Sequence, residues 1–508
     1  MTAAALPLFV AVPLAAAALT VVWRQMWLER LLMIGVPLAS AVGGLTLIVE
    51  HRGTPVIAHG VGGYVAGIAI PFASDTLAAA MIVVTGVSTA ASCWFLTSTG
   101  EDRYRFVPSL ALMLSAGVNG ALLTADLFNL FVFIEVMLLP SYALIAVSGN
   151  WRRLGIARLF ILVNLVTSTF LLMGVGLVYG VGGTANLAAL AGRAGEDPRV
   201  GAAVVVVLLA LAIKGGVVPV HGWLPRAYPA TSAGVMALFS GLHTKVALYA
   251  LYRIYSVTYG GRPAPWMWVF AVVVLLTVVV GSVSTIGERR IRSALAFQMV
   301  AGVGHILIGL VVMSSASLAA GLFYLAHHVV TMSALLMSAG AIEHTYGSGR
   351  YDRLNGLLHR DPVVAGAMVL GLFSLVGLPP TSGMWGKIGI LQSVAELTGR
   401  DPLLAWSIIA VVVLASLASL LALQRLWDDV FWGKPMEQYR PDDERTGRGE
   451  LVPVPAGHRV SARLAAPGVV MMILSVGMFL AAGWLFPVAQ DAASGLTDVR
   501  LYVEEVLR

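Results

Sequence analysis

The sequence is short of charge. Of its 508 residues only 11% are Asp, Glu, Lys or Arg, and 58% are hydrophobic. A soluble domain carries about 25% charged residues. Too little polar surface remains to cover a water-soluble globule, which excludes a soluble enzyme, a disordered chain and a nucleic-acid binder. Cysteine is nearly absent. The one residue, Cys93, sits inside an apolar run, so there is neither a disulfide framework nor a Cys-based metal site. No hydrolase triad, phosphate loop, flavin or nicotinamide fingerprint occurs, so the chain is not expected to be an enzyme or to hold a cofactor. No carboxylate or cysteine accompanies the histidines at metal-ligand spacing, and no metal is expected.

Long apolar runs are plentiful. They are continuous rather than alternating ten-residue strands, which excludes a β-barrel. The remaining class is an all-α polytopic membrane protein, because helices satisfy their own backbone in lipid. About 20 apolar residues cross the hydrocarbon core. On that measure fourteen spans are predicted: 3–22, 31–50, 77–97, 106–124, 127–148, 156–180, 200–219, 232–254, 265–286, 291–313, 316–341, 363–392, 403–424 and 467–487. The run 3–22 has no basic stretch before it and reads as a first span, not a cleaved signal. Residues 61–71, Gly-rich and β-branched, suggest a short hairpin. The chain reads as one membrane domain over residues 1–508, with a polar cytoplasmic connector at 427–463, amphipathic or partly disordered.

The net charge of +6 comes from arginine in short loops. Loops after odd-numbered spans hold 21 basic residues and the opposite loops 8. The positive-inside rule then places both termini on the non-cytoplasmic side of a bacterial-type cell membrane.

Lysine is rarer still, at four residues. Lys434 lies in the connector, whereas Lys214, Lys245 and Lys387 fall within spans. A charge there is costly. Arginine stays protonated, but a buried lysine can release its proton. One such lysine could snorkel to the interface. Three with similar mid-span placement suggest a proton path. One acid, Glu135, lies deep in a span with no local partner, and Lys214 or Lys245 could neutralise it. Asp126, at the start of that span, reads as a helix cap. His327 and His328 lie between Lys245 and Lys387 in the chain, and adjacent helical residues point in different directions, so one of the two is expected to face the path. His243 and His305 are possible relays.

Two of the lysines sit beside helix breakers. Lys214 is followed by Gly215, Gly216 and Pro219. Lys387 is preceded by Gly377, Pro379 and Pro380. Paired interruptions of this kind suggest inverted repeats. The units would be 106–254 and 265–424, five spans each, with the counterpart of Glu135 near His305. Ordinary proline kinks in a bundle are the plainer reading.

Four ordered motifs carry a family resemblance. Leu130-Phe131-Val132-Phe133-Ile134-Glu135-Val136-Met137 resembles the glutamate helix of the antiporter-like subunits. Ile213-Lys214-Gly215-Gly216, with Pro219-Val220-His221-Gly222-Trp223-Leu224-Pro225, resembles their broken helix. Gly241-Leu242-His243-Thr244-Lys245-Val246-Ala247-Leu248-Tyr249 and Gly383-Met384-Trp385-Gly386-Lys387 complete the set. That superfamily includes Mrp-type multisubunit Na⁺/H⁺ antiporters and the pumping subunits of respiratory complex I. The wording around Lys245 is most similar to the Mrp D group. The resemblance implies a secondary-transport subunit, working with other membrane subunits in the lipid bilayer. Protons would pass along Glu135, Lys214, Lys245, His327 or His328, and Lys387 against a monovalent cation, Na⁺. Two further readings stay open: a membrane subunit of a redox-driven, complex I-like pump, and a scaffold whose buried charges only specify packing.

Overall fold

Backbone groups in lipid find no water to bond, so apolar runs of this length fold as helices that close their own hydrogen bonds. The computed structural model describes residues 2–64, 69–147, 151–442, 449–455 and 457–508, with only the backbone of 151–154. In chain order the helices are α1 Leu8–Val22, α2 Met26–Glu50, α3 Thr76–Thr99, α4 Val107–Leu123, α5 Leu127–Ala146, α6 Trp151–Gly182, α7 Arg193–Glu196, α8 Pro198–Gly215, α9 Trp223–Ala227 and α10 Ala233–Thr258. There follow α11 Met267–Ile286, α12 Ile291–Val312, α13 Ser315–Tyr346, α14 Leu357–Arg360, α15 Pro362–Val376, α16 Ser382–Ala395, α17 Pro402–Val430, α18 Ala462–Leu480, α19 Ala482–Thr497 and α20 Arg500–Val506. Among the described residues twelve helices are long and apolar enough to cross a membrane, and α4 and α15 are shorter apolar helices.

Polar side chains start the spans. Asp75 caps α3 by accepting from Ala78 N at 3.0 Å. Asp126 caps α5 by accepting from Asn129 N at 2.8 Å, as its position in the sequence suggests. Ser314 and Ser317 form a reciprocal capping box at α13.

The helices differ in what surrounds them. Every residue of α10 is buried, and α12 and α13 are nearly so. These three form the interior. By contrast α2 and α17 keep most of their residues at the periphery, apolar and facing outward. Most of the titratable residues singled out above lie on α10, α12 and α13 or on helices packed against them.

Strands β1 Val56–Gly60 and β2 Pro71–Asp75 pair antiparallel, with Val56 opposite Asp75 and Gly60 opposite Pro71. The expected hairpin is therefore present, but its strands flank 61–71 instead of filling it. Residues 65–68 lie outside the described residues. The N-terminal turn Ala3–Ala5 and α20 both pack on β1, so the two termini share one face of the molecule.

The opposite face carries ion pairs. Arg30 meets Asp102 at 2.5 Å. Asp442 accepts from Arg290 at 3.1 Å, from Ser348 at 3.2 Å and from Arg353. The described part of the 427–463 connector is thus folded onto the helix ends and is not an amphipathic helix. Phe431 is fully buried, and β3 Gln438–Tyr439 pairs with β4 Val452–Pro453. Asp443, Glu444, Arg445 and Arg448 lie outside the described residues, as do the side chains of Arg152 and Arg153.

Two boundaries depart from the sequence reading. The run 467–487 is divided at Ala481 between α18 and α19. Arg253, counted with the loops, is fully within α10 and only 4% exposed. Its partner Asp75 is 178 residues away, at 2.6 Å, which no local pattern reveals.

Candidate functional site

Both expected helix breaks are present, each beside its lysine. Helix α8 ends at Gly215 and the chain re-enters helix at Trp223, so Lys214 occupies the last turn before the break. Helix α15 ends at Val376 and α16 begins at Ser382, with Lys387 in the second turn of α16. The peptide bonds Val218–Pro219 and Pro379–Pro380 are cis. Gly216 and Gly377 close α8 and α15 in the left-handed region, at φ 81° and 94°. That region is open to glycine at little cost. At Gly377 a side chain would also meet the Lys387 stem, with a Cβ 2.8 Å from Cδ.

Lys214 is 3% exposed and donates to Asn164 Oδ1 on α6 at 3.2 Å. Glu135 lies within electrostatic reach of Lys214. Among the described residues no lysine or arginine nitrogen comes within 4.0 Å of Glu135, and its Oε1 is buried without a hydrogen-bond partner. Of the two lysines considered as its counter-charge, Lys214 is the one whose environment includes Glu135.

His243, on α10, follows. Its Nε2 is 2.7 Å from Ser141 Oγ on α5, and its ring stands edge-on to Phe239 at 4.8 Å. Lys214 is the charge it feels. Two residues further, Lys245 is fully buried and donates to its neighbour Thr244 Oγ1 at 3.0 Å.

His328, on α13, is fully buried with both ring nitrogens unpartnered, within electrostatic reach of Lys245, His327 and His305. Its ring occupies the space a side chain at Gly302 would take, since a Cβ there would lie 2.0 Å from Nε2. His327 is also fully buried. Its Nδ1 meets Ser382 Oγ at 2.8 Å and Thr331 Oγ1 at 3.1 Å, leaving Nε2 unpartnered. His305 bonds Ala301 O through Nδ1 at 2.8 Å, and its Nε2 is likewise unpartnered. Tyr324 lies among the three, its ring 5.1 to 6.2 Å from each. Lys387 is within reach of His305 and His327. It donates to Val376 O at 2.9 Å and Ser416 Oγ at 2.8 Å. Val376 O is a free carbonyl at the C-terminus of α15, where the helix dipole favours a cation.

The residues chosen from the sequence therefore follow one another in the order 135, 214, 243, 245, 328, 327, 387, half-buried at Glu135 and buried from Lys214 on, with His305 beside the far end. Both His327 and His328 lie in this row, where one of the two was expected. Lys214, Lys245 and Lys387 have no carboxylate within 4.0 Å among the described residues. Only neutral oxygens hold them, and a buried charge without a counter-charge is costly unless it can be discharged.

The sequence reading missed the side chains that line this row. Asn164, Ser141, Thr331, Ser382 and Ser416 each bond one of its members. Ser475 on α18 bonds Thr331 at 2.6 Å and Ser382 at 3.1 Å. Asn164 was visible as a lone amide in an apolar run. A hydroxyl in such a run carries no comparable signal, because it can bond its own helix.

The family model described as NADH:quinone oxidoreductase/Mrp antiporter, TM, matches residues 124–420, which contain the whole row. The chain is 32% identical over 454 residues to the Na(+)/H(+) antiporter D subunit of Bacillus subtilis, covering 88% of each chain. It is 29% identical over 479 residues to the Na(+)/H(+) antiporter D subunit of Alkalihalophilus pseudofirmus, covering 92% of this chain and 93% of that one. Among solved structures it matches a chain of the Mrp complex from Dietzia sp. DQ12-45-1b, with a TM-score of 0.94, 39% identity and full coverage of both.

Proposed function

Since the chain belongs to the NADH:quinone oxidoreductase/Mrp antiporter family, among its D-type members, and is a multi-pass subunit of a cation/proton antiporter and not an enzyme, we propose that its own part is to carry the proton. The observation that supports this most is the set of three buried lysines held by neutral oxygens alone. A permanently charged group in that setting would only destabilise the fold. A group that takes and gives a proton is charged for part of the cycle only.

Glu135 is the switch at one end. While its carboxylate faces Lys214, the ammonium is retained. When the carboxylate is neutralised or turns away, Lys214 passes its proton on. His243 connects Lys214 to Lys245, His328 and His327 connect Lys245 to Lys387, and Ser141 and Ser382 hold the imidazoles by one nitrogen each. The units 106–254 and 265–424 act as inverted halves, each with one break. The chain works in a bacterial-type cell membrane beside other membrane subunits. Na⁺ moves in the opposite direction, through a partner subunit. The arginine bias places both termini outside the cytoplasm.

Glu135→Gln and Lys214→Ala test the reading in everted membrane vesicles, with Na⁺-driven collapse of a pH gradient as the signal. Both variants are expected to assemble and to lose antiport. Full antiport in either one contradicts the proposal.

A further inference from the structure

A buried charged group, Arg253, lies outside the row. It follows Lys245 and Tyr249 on a single stripe of α10, at i, i+4 and i+8. It is 4% exposed and pairs with Asp75 at 2.6 Å, and the Tyr249 and Tyr502 rings stand 5.7 and 4.8 Å from its guanidinium. Its Nη1 is buried without a partner. Replacing such a pair by apolar side chains is often neutral or stabilising, so a buried ion pair is not by itself a device for stability.

Two cavities adjoin the pair, one on the Asp75 side and one on the Arg253 side. One of about 360 Å³ is on the face that holds both termini. His51, Arg52, Asp75, Asp491, Asp498 and Tyr502 are among its lining residues. His51 is fixed by Thr54 O and Ser74 Oγ, both at 2.9 Å, Asp498 by Arg500 at 2.6 Å and the buried Asp75 by Arg253, which leaves Asp491 as the exposed carboxylate of the wall beside the exposed Arg52. The other cavity, about 10 Å³, has room for about one water. It is lined by Tyr249 and Arg253 and, on the α5 side, by Asp126. Arg253 thus touches both its partner Asp75 and a cavity that ends on a second carboxylate.

We propose that Arg253 is a two-position gate, paired with Asp75 when the path from the terminus face to Lys245 is shut and turned toward Asp126 when it is open. The larger cavity is the mouth, where Asp491 and, once Arg253 has left it, Asp75 receive protons or hydrated monovalent cations. The guanidinium stays charged in both positions and repels cations while it fills the passage. Moving to Asp126 shifts that charge to the start of α5, the helix that carries Glu135 two and a half turns further on, which couples the opening to the switch. This rests on the proton path proposed above, to which it adds an entrance.

Silver ion, similar in size to the alkali cations and reactive with thiols, tests the gate without reading transport. In the assembled complex with Cys93→Ser, Ser494→Cys places a thiol on the wall of the mouth and Ala250→Cys one on the inner cavity. Block by Ag⁺ is read as lost maleimide labelling after denaturation. Ser494→Cys is expected to be blocked fast in every background, and Ala250→Cys slowly. Asp75→Asn, which keeps the α3 cap, frees the gate and is expected to speed block of Ala250→Cys by at least about tenfold. Asp126→Asn removes the second position and is expected to slow it. If either substitution leaves the rate at Ala250→Cys unchanged, the gate is overturned. The labelling result stands apart from antiport, so a failure here differs from a failure of Glu135 or Lys214.

Discussion

Single glycines set where the titratable side chains can sit. Gly302 leaves room for the His328 ring, and Gly302→Ala is expected to displace it and lower antiport severely while the complex still assembles. Gly483, with open space for 4 Å around the position a Cβ would take, is the control, and Gly483→Ala should transport normally in the same vesicles. Gly377→Ala combines a left-handed backbone with contact on the Lys387 stem. The backbone strain alone is worth about 1–2 kcal/mol. A lower thermal midpoint of the purified complex, together with weaker antiport, is the expected result. The lysines were legible in the sequence because charge is so scarce in the spans. Arg253 was not, since it lies one position from the predicted end of its span and its partner is on the strand that leads into α3.

At the level of elements, the two broken helices were readable from glycine and proline beside lysine, and their observed limits differ from the predicted spans by a few residues. The supporting hydroxyls were not readable. Their role depends on which helices pack together, and Ser475 comes from α18, outside both predicted repeat units. With its two hydroxyl partners it holds the Thr331–His327–Ser382 cluster in place. Ser475→Ala is expected to reduce antiport several-fold without loss of assembly, and Ser475→Thr to restore most of it. Equal rates for all three forms would assign the cluster to packing alone.

The whole molecule is asymmetric between its faces. Asp442 gathers Arg290, Arg353 and Ser348 and fastens the connector to the ends of α12 and α13. Asp442→Ala is expected to speed limited proteolysis between α17 and α18, with little change in transport. On the same face the guanidinium of Arg350, by direct hydrogen bonds, holds Asp352 below the usual carboxylate range. That contribution is present above the ordinary carboxylate pKa and lost as pH falls through the lowered one. Both side chains are partly open to solvent, so Arg350→Ala should cost under about 1 kcal/mol at neutral pH by thermal unfolding.

If buried lysines move protons because they can release them, a side chain that holds its charge permanently must stop transport. Lys245→Arg keeps the charge in a fully buried position but removes the ability to discharge it. With the purified complex in proteoliposomes, Na⁺-driven proton movement is followed by a pH-sensitive dye trapped in the lumen. An assembled complex with no proton movement is the expected result for Lys245→Arg. Proton movement at the unmodified rate would contradict it, and would reduce the lysine to a fixed charge that shapes the core.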